Sequence, residues 1–451
     1  MKIAPIDLGC PKNTVDLEKV VGLLVRPELR IVGDPREADV VIINTCAFIR
    51  PAVEEALETI IETARLKKQG IPRVVVTGCL PQRFGRELAG LLPEAELVVT
   101  ARDPARIAAR IRRFLGLRAT RHEATRWSLT PPHYAYLKIA GGCDNRCAYC
   151  TIPLIKGRYR SKPAEAIMAE ARELVRRGAQ ELIVVAQDTT LYGAERGSPS
   201  ALPELLRALG QVDGPRWIRL MYTHPAHVDE AVIATIAGEE RICKYIDLPV
   251  QHGSDRILAA MGRKTTRAQL EQLVHHLRQQ IPSLAIRSTV MVGFPGETEE
   301  DFEMLLDFLE TVRFDHLGVF TYWPEEETRA AAMAGQVPEE EKNARQAQVL
   351  DLQSRISSAR TASLQGRTVQ VLVDEVDKTL GISWGRTEWD APEVDSRVRI
   401  DDILELGHFA AVRITGSDGF DLYATPASRS STSAAAGEGA ELNVPREVSR
   451  A

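Results

Sequence analysis

No apolar run in this 451-residue chain approaches the roughly 18 residues that a membrane helix needs. The amino-terminal stretch MKIAPIDLGCPKN lacks the long apolar core of a signal peptide. Charge of one sign is also missing: 57 basic residues face 62 acidic ones, a net charge of -5, so nothing global points to nucleic acid. Cysteine is sparse, with seven residues. These absences point to a cytoplasmic protein with no membrane partner, where thiols stay reduced and cysteine groups are metal or redox sites rather than disulfides. With 44% hydrophobic and 26% charged residues the chain is ordinary globular material, long enough for about two to four domains.

Composition changes divide it. Residues 1–125 alternate buried-strand runs (KIAPIDL, DVVIINT, RVVVTG, ELVVTA) with amphipathic stretches such as PAVEEALETIIETARLKK. That predicts an open parallel βα sheet. A polar linker around Glu123–Pro132 follows. Residues 133–360 carry six further candidate strands, YAYLKIA, ELIVVAQ, WIRLMYT, YIDLPV, AIRSTVMVGF and HLGVFTYW, separated by helical segments and trailed by a long polar helix. Six βα units predict a partial (βα)6 barrel with its active face at the carboxyl ends of the strands. Residues 361–425 are short β-prone runs with Gly and Asp turns, a small antiparallel β-barrel. Residues 426–451 are rich in Ser, Ala and Glu and predict a disordered tail. The fold class is therefore α/β multidomain.

Six of the seven cysteines form two sets of three. Cys143, Cys147 and Cys150 make a CxxxCxxC run in GGCDNRCAYCTIP, directly after the first strand of the second domain. A loop this short wraps three thiolates around one face of a cluster, one ligand short of the usual four, and leaves an iron open for chemistry. A structural zinc site is the competing reading, but zinc wants a fourth ligand and none lies nearby in sequence. Cys10, Cys46 and Cys79 each follow one of the strand runs of the first domain, in LGC, NTC and TGC. Ligands gather at the carboxyl ends of strands in open α/β sheets, so these three thiols are expected to converge. Three buried free cysteines are the alternative. Cys243 stands apart and reads as a buried structural thiol.

The CxxxCxxC run with Tyr149 resembles the radical S-adenosylmethionine (SAM) enzymes. The resemblance implies that SAM chelates the open iron. One electron then cleaves its sulfonium to a 5′-deoxyadenosyl radical that removes hydrogen from an unactivated carbon. It implies further that Gln187 and Asp188, in VVAQDTT, contact the amino group of SAM, and that Arg287 meets its carboxylate as a bidentate partner. Gly293, Phe294, Pro295 and Gly296, in VGFPGET, then approach the adenosine. Taken singly, Gly-Phe-Pro-Gly also reads as a plain turn and Arg287 as a salt-bridge residue. His224 and His252 read as pocket or structural residues, and Tyr322 and Trp323 as cover for the pocket.

LGCPKNTVD, INTCAFI and VTGCLPQ are similar to the methylthiotransferase family, and the resemblance covers nearly the whole ordered chain, including a barrel of the TRAM type. It implies two 4Fe–4S clusters: one on Cys143, Cys147 and Cys150, and an auxiliary one on Cys10, Cys46 and Cys79 that carries the sulfur to be transferred. It implies a sulfur donor and a reductant such as flavodoxin or ferredoxin. One branch of the family modifies adenosine in tRNA; the other modifies the β-carbon of an aspartate in small-subunit ribosomal protein twelve, free or in the small ribosomal subunit. Pro11-Lys12-Asn13 after Cys10, together with GRYRSK and GRTEWDAPEVDS, resembles the second branch. Residues 361–425 hold twelve acidic and six basic residues, a poor match for tRNA and a good one for a basic protein. Trp384, Trp389, Asp390, Glu393 and Asp395 are the expected substrate contacts. A tRNA enzyme and a non-catalytic iron–sulfur carrier are the alternatives.

Overall fold

The computed structural model describes residues 1–66, 73–85, 87–118, 126–197 and 200–427. The expected tail and part of the polar linker lie outside the described residues. The chain forms two compact units, Met1–Leu129 and Thr130–Ala427.

The first unit is one parallel sheet in the order β2-β1-β3-β4-β5. The strands are β1 (Lys2–Asp7), β2 (Arg30–Ile31), β3 (Val40–Thr45), β4 (Arg73–Gly78) and β5 (Leu97–Val98). Every residue of β3 is buried, as a central parallel strand with both faces covered should be. Of the four expected strands, ELVVTA contributes only two paired residues, and Arg30–Ile31 adds a short edge strand. The cysteines follow β1, β3 and β4, three adjacent strands of the sheet.

The second unit begins with β6 (Tyr134–Lys138) and a two-stranded ribbon, β7 (Ala140–Gly141) with β8 (Arg160–Ser161). Then come β9 (Glu181–Val185), β10 (Trp217–Leu220), β11 (Tyr245–Asp247), β12 (Ala285–Val292) and β13 (His316–Thr321). They pair in parallel as β10-β9-β6 and β11-β12-β13, joined by a bridge from Ile218 to Ile242. All six expected strands are present, and the partial barrel stands. Helices Leu202–Gly210 and Glu230–Gly238 complete two of the βα units. The long helix runs from Glu339 to Ser363.

Strands β14 (Thr368–Asp377), β15 (Ile382–Arg386), β16 (Val398–Ile400), β17 (Phe409–Ser417) and β18 (Leu422–Pro426) close into a five-stranded barrel. It is not wholly antiparallel: β16 pairs with β18 in parallel, which is how the barrel closes.

This small barrel belongs to the same compact unit as the larger one, and its β15–β16 loop packs against the amino-terminal ends of β6 and β9 to β13. Glu181 accepts from Arg219 Nε at 2.7 Å and pairs with Arg386 Nη1 at 2.9 Å, with all three side chains 2% exposed or less. Asp374 takes both Nε and Nη2 of Arg386 and also meets His133. Arg219 Nη1 donates to the Glu388 carbonyl, and the Glu388 carboxylate accepts from Lys244 N. Asp395 is fully buried and accepts from Tyr245 Oη at 2.8 Å and Arg287 Nη1 at 2.7 Å. Burial opposes its charge, but His316 and Arg287 hold its carboxyl below the usual range.

Two expectations are corrected here. Arg287 lies near the start of β12, level with the first residue of β13, and is committed to Asp395 and Asp247. It therefore binds the small barrel rather than SAM. The side chains of Asp390 and Asp395 are likewise buried and do not face an external substrate, whereas Glu393 is exposed. Asp390 sits beside Thr387 and His316, and Glu393 accepts from Tyr134 Oη. The Trp389 carbonyl meets His316 Nε2 at 3.0 Å, and the Trp384 ring is covered by the Arg397 guanidinium 4.2 Å away. Of the twelve acids, Asp374, Glu388, Asp390, Glu393 and Asp395 contact the larger barrel.

Removing one partner of a buried ion pair leaves an unmatched charge, at a cost of about 3–5 kcal/mol. Asp395→Ala is expected to destabilise Thr130–Ala427 by about that amount in chemical denaturation. Hydrogen exchange should rise first in Val398–Ile400 and at the start of β12; unchanged exchange there would contradict the role given to Asp395.

Candidate functional site

The carboxyl ends of the strands carry the reactive side chains in both units. In the first, Cys10 caps the helix Pro11–Leu24, Cys46 follows β3, and Cys79 opens the helix Cys79–Phe84. The thiols are near enough to influence one another. Burial pushes the Cys46 thiol up to about 11, against the backbone N–H of Phe48, and both Cys79 and Cys10 add to the rise. Gly78, at φ +93°, lets β4 turn into its helix against β3, since a Cβ there would lie 2.5 Å from the Thr45 carbonyl oxygen.

In the second unit, β6 feeds the ribbon that presents the Cys143–Cys150 loop. Gly142 has φ +77°, and a Cβ there would lie 2.1 Å from the Arg158 carbonyl oxygen. The loop is pinned from several sides. Cys143 N donates to the Gly157 carbonyl, Ala148 N to Met261, and Ala330 N to Ala148. Beneath it, Ala148, Ile257, Met261, Phe294, Tyr322 and Ala330 form an apolar cluster against which Tyr149 packs. Burial pushes the Cys143 thiol to about 11 and the Cys150 thiol to about 12, so loading metal onto these groups must release protons.

Neither cysteine set is drawn tight enough for a single ion. Among the described residues, the one group of His, Cys, Asp and Glu ligand atoms all within 4.8 Å of one another is Asp188, His224 and His227. Three thiols held further apart fit a multi-iron cluster and disfavour zinc.

Asp188 follows β9 and ties the loop down. It accepts from Asn145 Nδ2, inside the cysteine loop, at 2.9 Å and meets His227 Nδ1 at 2.9 Å, while its carbonyl accepts from Tyr159 Oη. Burial raises the Asp188 pKa, but His227, Thr190 and His224 outweigh it and keep the group ionised. His224 is stacked on His227 and is pushed down to about 3 by burial and by Arg263, so it is neutral near pH 7. Gln187 Oε1 is buried without a hydrogen-bond partner.

The Gly-Phe-Pro-Gly turn serves packing more than the expectation allowed. Phe294 is fully buried edge-on to Tyr322, and Gly293 (φ +72°) makes room for the Lys342 side chain. Tyr322 is therefore core rather than cover. Glu297 secures the turn by accepting from Phe294 N, and pairs with Arg345 Nη1 at 2.9 Å and His252. Cys243 is buried as expected.

The cation beside the Cys147 thiol is Arg263, for which the sequence carries no expectation. Its Nη1 lies 3.9 Å from Cys147 Sγ, Nη2 donates to the Pro249 carbonyl at 2.6 Å, and its Nε is buried without a partner. Nothing in RKTT marks it; only its position after β11 and a short helix brings it to this face.

If each cysteine set holds one cluster, Cys143→Ser and Cys79→Ser each lower bound iron to about half of wild type by metal analysis, and the double variant holds almost none. Full iron in either single variant would remove that cysteine from the ligand set.

The profile of the radical SAM superfamily matches residues 137–309, that of uncharacterized protein family UPF0004 residues 2–100, and that of the TRAM domain residues 366–426. A protein of Heliobacterium modesticaldum named ribosomal protein uS12 methylthiotransferase RimO is 44% identical, with 94% of each chain aligned. One of the same name from Geobacter sulfurreducens is 43% identical over 93% of this chain and 97% of its own. The radical SAM methyltransferase TsrM of Kitasatospora setae matches in fold with a TM-score of 0.53, at 17% identity over 70% of this chain and 72% of its own. No helix among the described residues is long and apolar enough to cross a membrane. The chain belongs to the radical SAM methylthiotransferases, in the ribosomal-protein branch of that family.

Proposed function

We propose that this protein is the enzyme that transfers a methylthio group to the β-carbon of an aspartate in ribosomal protein uS12. The observation that carries the reading is the pair of cysteine triads, each at the carboxyl edge of a parallel sheet, in a chain 44% identical to a uS12 methylthiotransferase along 94% of its length. When bound, two 4Fe–4S clusters and SAM supply the radical and the sulfur.

The residues of the chain bind and orient. Cys143, Cys147 and Cys150 hold one cluster, and Cys10, Cys46 and Cys79 the auxiliary one. Asp188, kept ionised, fixes the cysteine loop through Asn145. Arg263, rather than Arg287, is the cation suited to a carboxylate beside the loop. Tyr149 and the apolar cluster around Phe294 give the loop a dry floor. A sulfur donor, a flavodoxin or ferredoxin as reductant, and a cytoplasmic setting complete the reading.

The small barrel's charge weighs less in the choice between uS12 and tRNA, since five of its twelve acids contact the larger barrel. Identity to the uS12 branch carries that choice. A bare iron–sulfur carrier would need neither the pinned loop nor Arg263.

Deleting the gene should remove one methylthio increment from the uS12 aspartate and leave bulk tRNA unchanged in mass spectrometry. Loss from tRNA alone would sink the substrate. Arg263→Ala should slow 5′-deoxyadenosine formation by the reduced enzyme about 10–100-fold while iron content holds, the range typical of groups supporting a metal site. Wild-type rates in that variant would remove Arg263 from the site.

A further inference from the structure

Asn13 lies in the first turn of the helix Pro11–Leu24, is 1% exposed, and directs its side-chain amide at a cysteine. Its Nδ2 donates to Cys79 Sγ at 3.1 Å and to the Thr45 carbonyl at 3.3 Å. A carbonyl can only accept, so the atom turned toward Thr45 is the nitrogen, and the sulfur receives an N–H. Cys46 and Cys79 differ in this respect. Cys46 is served by the backbone N–H groups of Phe48 and Ala47, whereas Cys79 draws on a side chain that is 66 residues away in sequence.

The surroundings pin the backbone that carries that amide. Asn44 Nδ2 donates to Asp7 Oδ1 at 2.7 Å and to the backbone carbonyl of Asn13 at 3.1 Å. Asp7 Oδ1 also accepts from Gly9 N. Gly9 is required here, since a Cβ on it would lie 2.4 Å from the Asn13 Cβ. Asp7, Asn44 and Asn13 thus come from β1, β3 and the helix after β1, the elements that carry Cys10 and Cys46. Hydrogen bonds to cluster sulfurs stabilise the more negative, reduced state and raise its potential.

We propose that Asn13 is a positioning residue of the auxiliary site. Its amide orients the Cys79 thiolate and raises the reduction potential of the cluster on Cys10, Cys46 and Cys79. The proposal rests on the assignment of those three cysteines as that cluster's ligands.

The test uses the full chain carrying Cys143→Ala, Cys147→Ala and Cys150→Ala, so that only the auxiliary cluster is seen. Iron is measured first, and the midpoint potential is then read by electron paramagnetic resonance during a redox titration. Asn13→Leu, close in shape but without the donor, should keep its iron and weaken the reduction equilibrium about tenfold, about 59 mV lower for a one-electron couple. Asn13→Asp, which adds a negative charge, should shift further in the same direction. A midpoint equal to or above the parent in a variant that holds iron overturns the proposal. Iron lost from both variants overturns it too, because Asn13 would then be needed for assembly rather than for tuning. A parent that binds no iron would instead sink the ligand assignment itself.

Discussion

All strands of a parallel sheet release their chains at the same edge, and that constraint organises both halves of this protein. A residue placed just after a strand shares an edge with residues placed just after the neighbouring strands, whatever their distance in sequence. Cys10, Cys46 and Cys79 follow the adjacent strands β1, β3 and β4. Asp188 and Arg263 follow β9 and β11 and meet the cysteine loop that follows β6, while His224, after β10, stacks on His227 beside Asp188. Chemistry is thereby concentrated at one edge of each sheet while the opposite edge is left to stability.

That opposite edge is where the larger barrel is built to be closed. Glu181, Arg219 and Arg386 are buried together and Asp374 beside them, two carboxylates against two guanidiniums. Such a set is stable only when complete, because each member left alone would be an unpaired charge in a dry setting. It selects the register between the two barrels, since sliding the small barrel would break several pairs at once. Arg287 and Asp395 extend the same seam.

The fold was legible from short range. Fully apolar runs such as VVIINT and LIVV mark central parallel strands, and the amphipathic segments between them mark the covering helices. The cysteines were legible because Cys143, Cys147 and Cys150 form one short run, while Cys10, Cys46 and Cys79 each directly follow a strand run. What failed depended on burial that no window of sequence records. The run GRTEWDAPEVDS reads as an acidic loop that meets the substrate, yet the side chains of Asp390 and Asp395 are buried because bases on distant strands await them. Arg287 was assigned by strand, whereas its place along the strand decides its partner. Arg263 carried no signal at all, being an arginine in a polar turn until the fold brings it to Cys147. The parallel pairing of β16 with β18 was likewise invisible, since three residues of β16 give no clue to their neighbour's direction.

The central claim is that this chain carries two iron clusters on two cysteine triads. Anomalous scattering at the iron absorption edge, from crystals of the anaerobically reconstituted enzyme, tests it most directly. The account predicts two compact iron peaks, one against Cys143, Cys147 and Cys150 and one against Cys10, Cys46 and Cys79. A single peak, or iron seated between Asp188, His224 and His227, would contradict it.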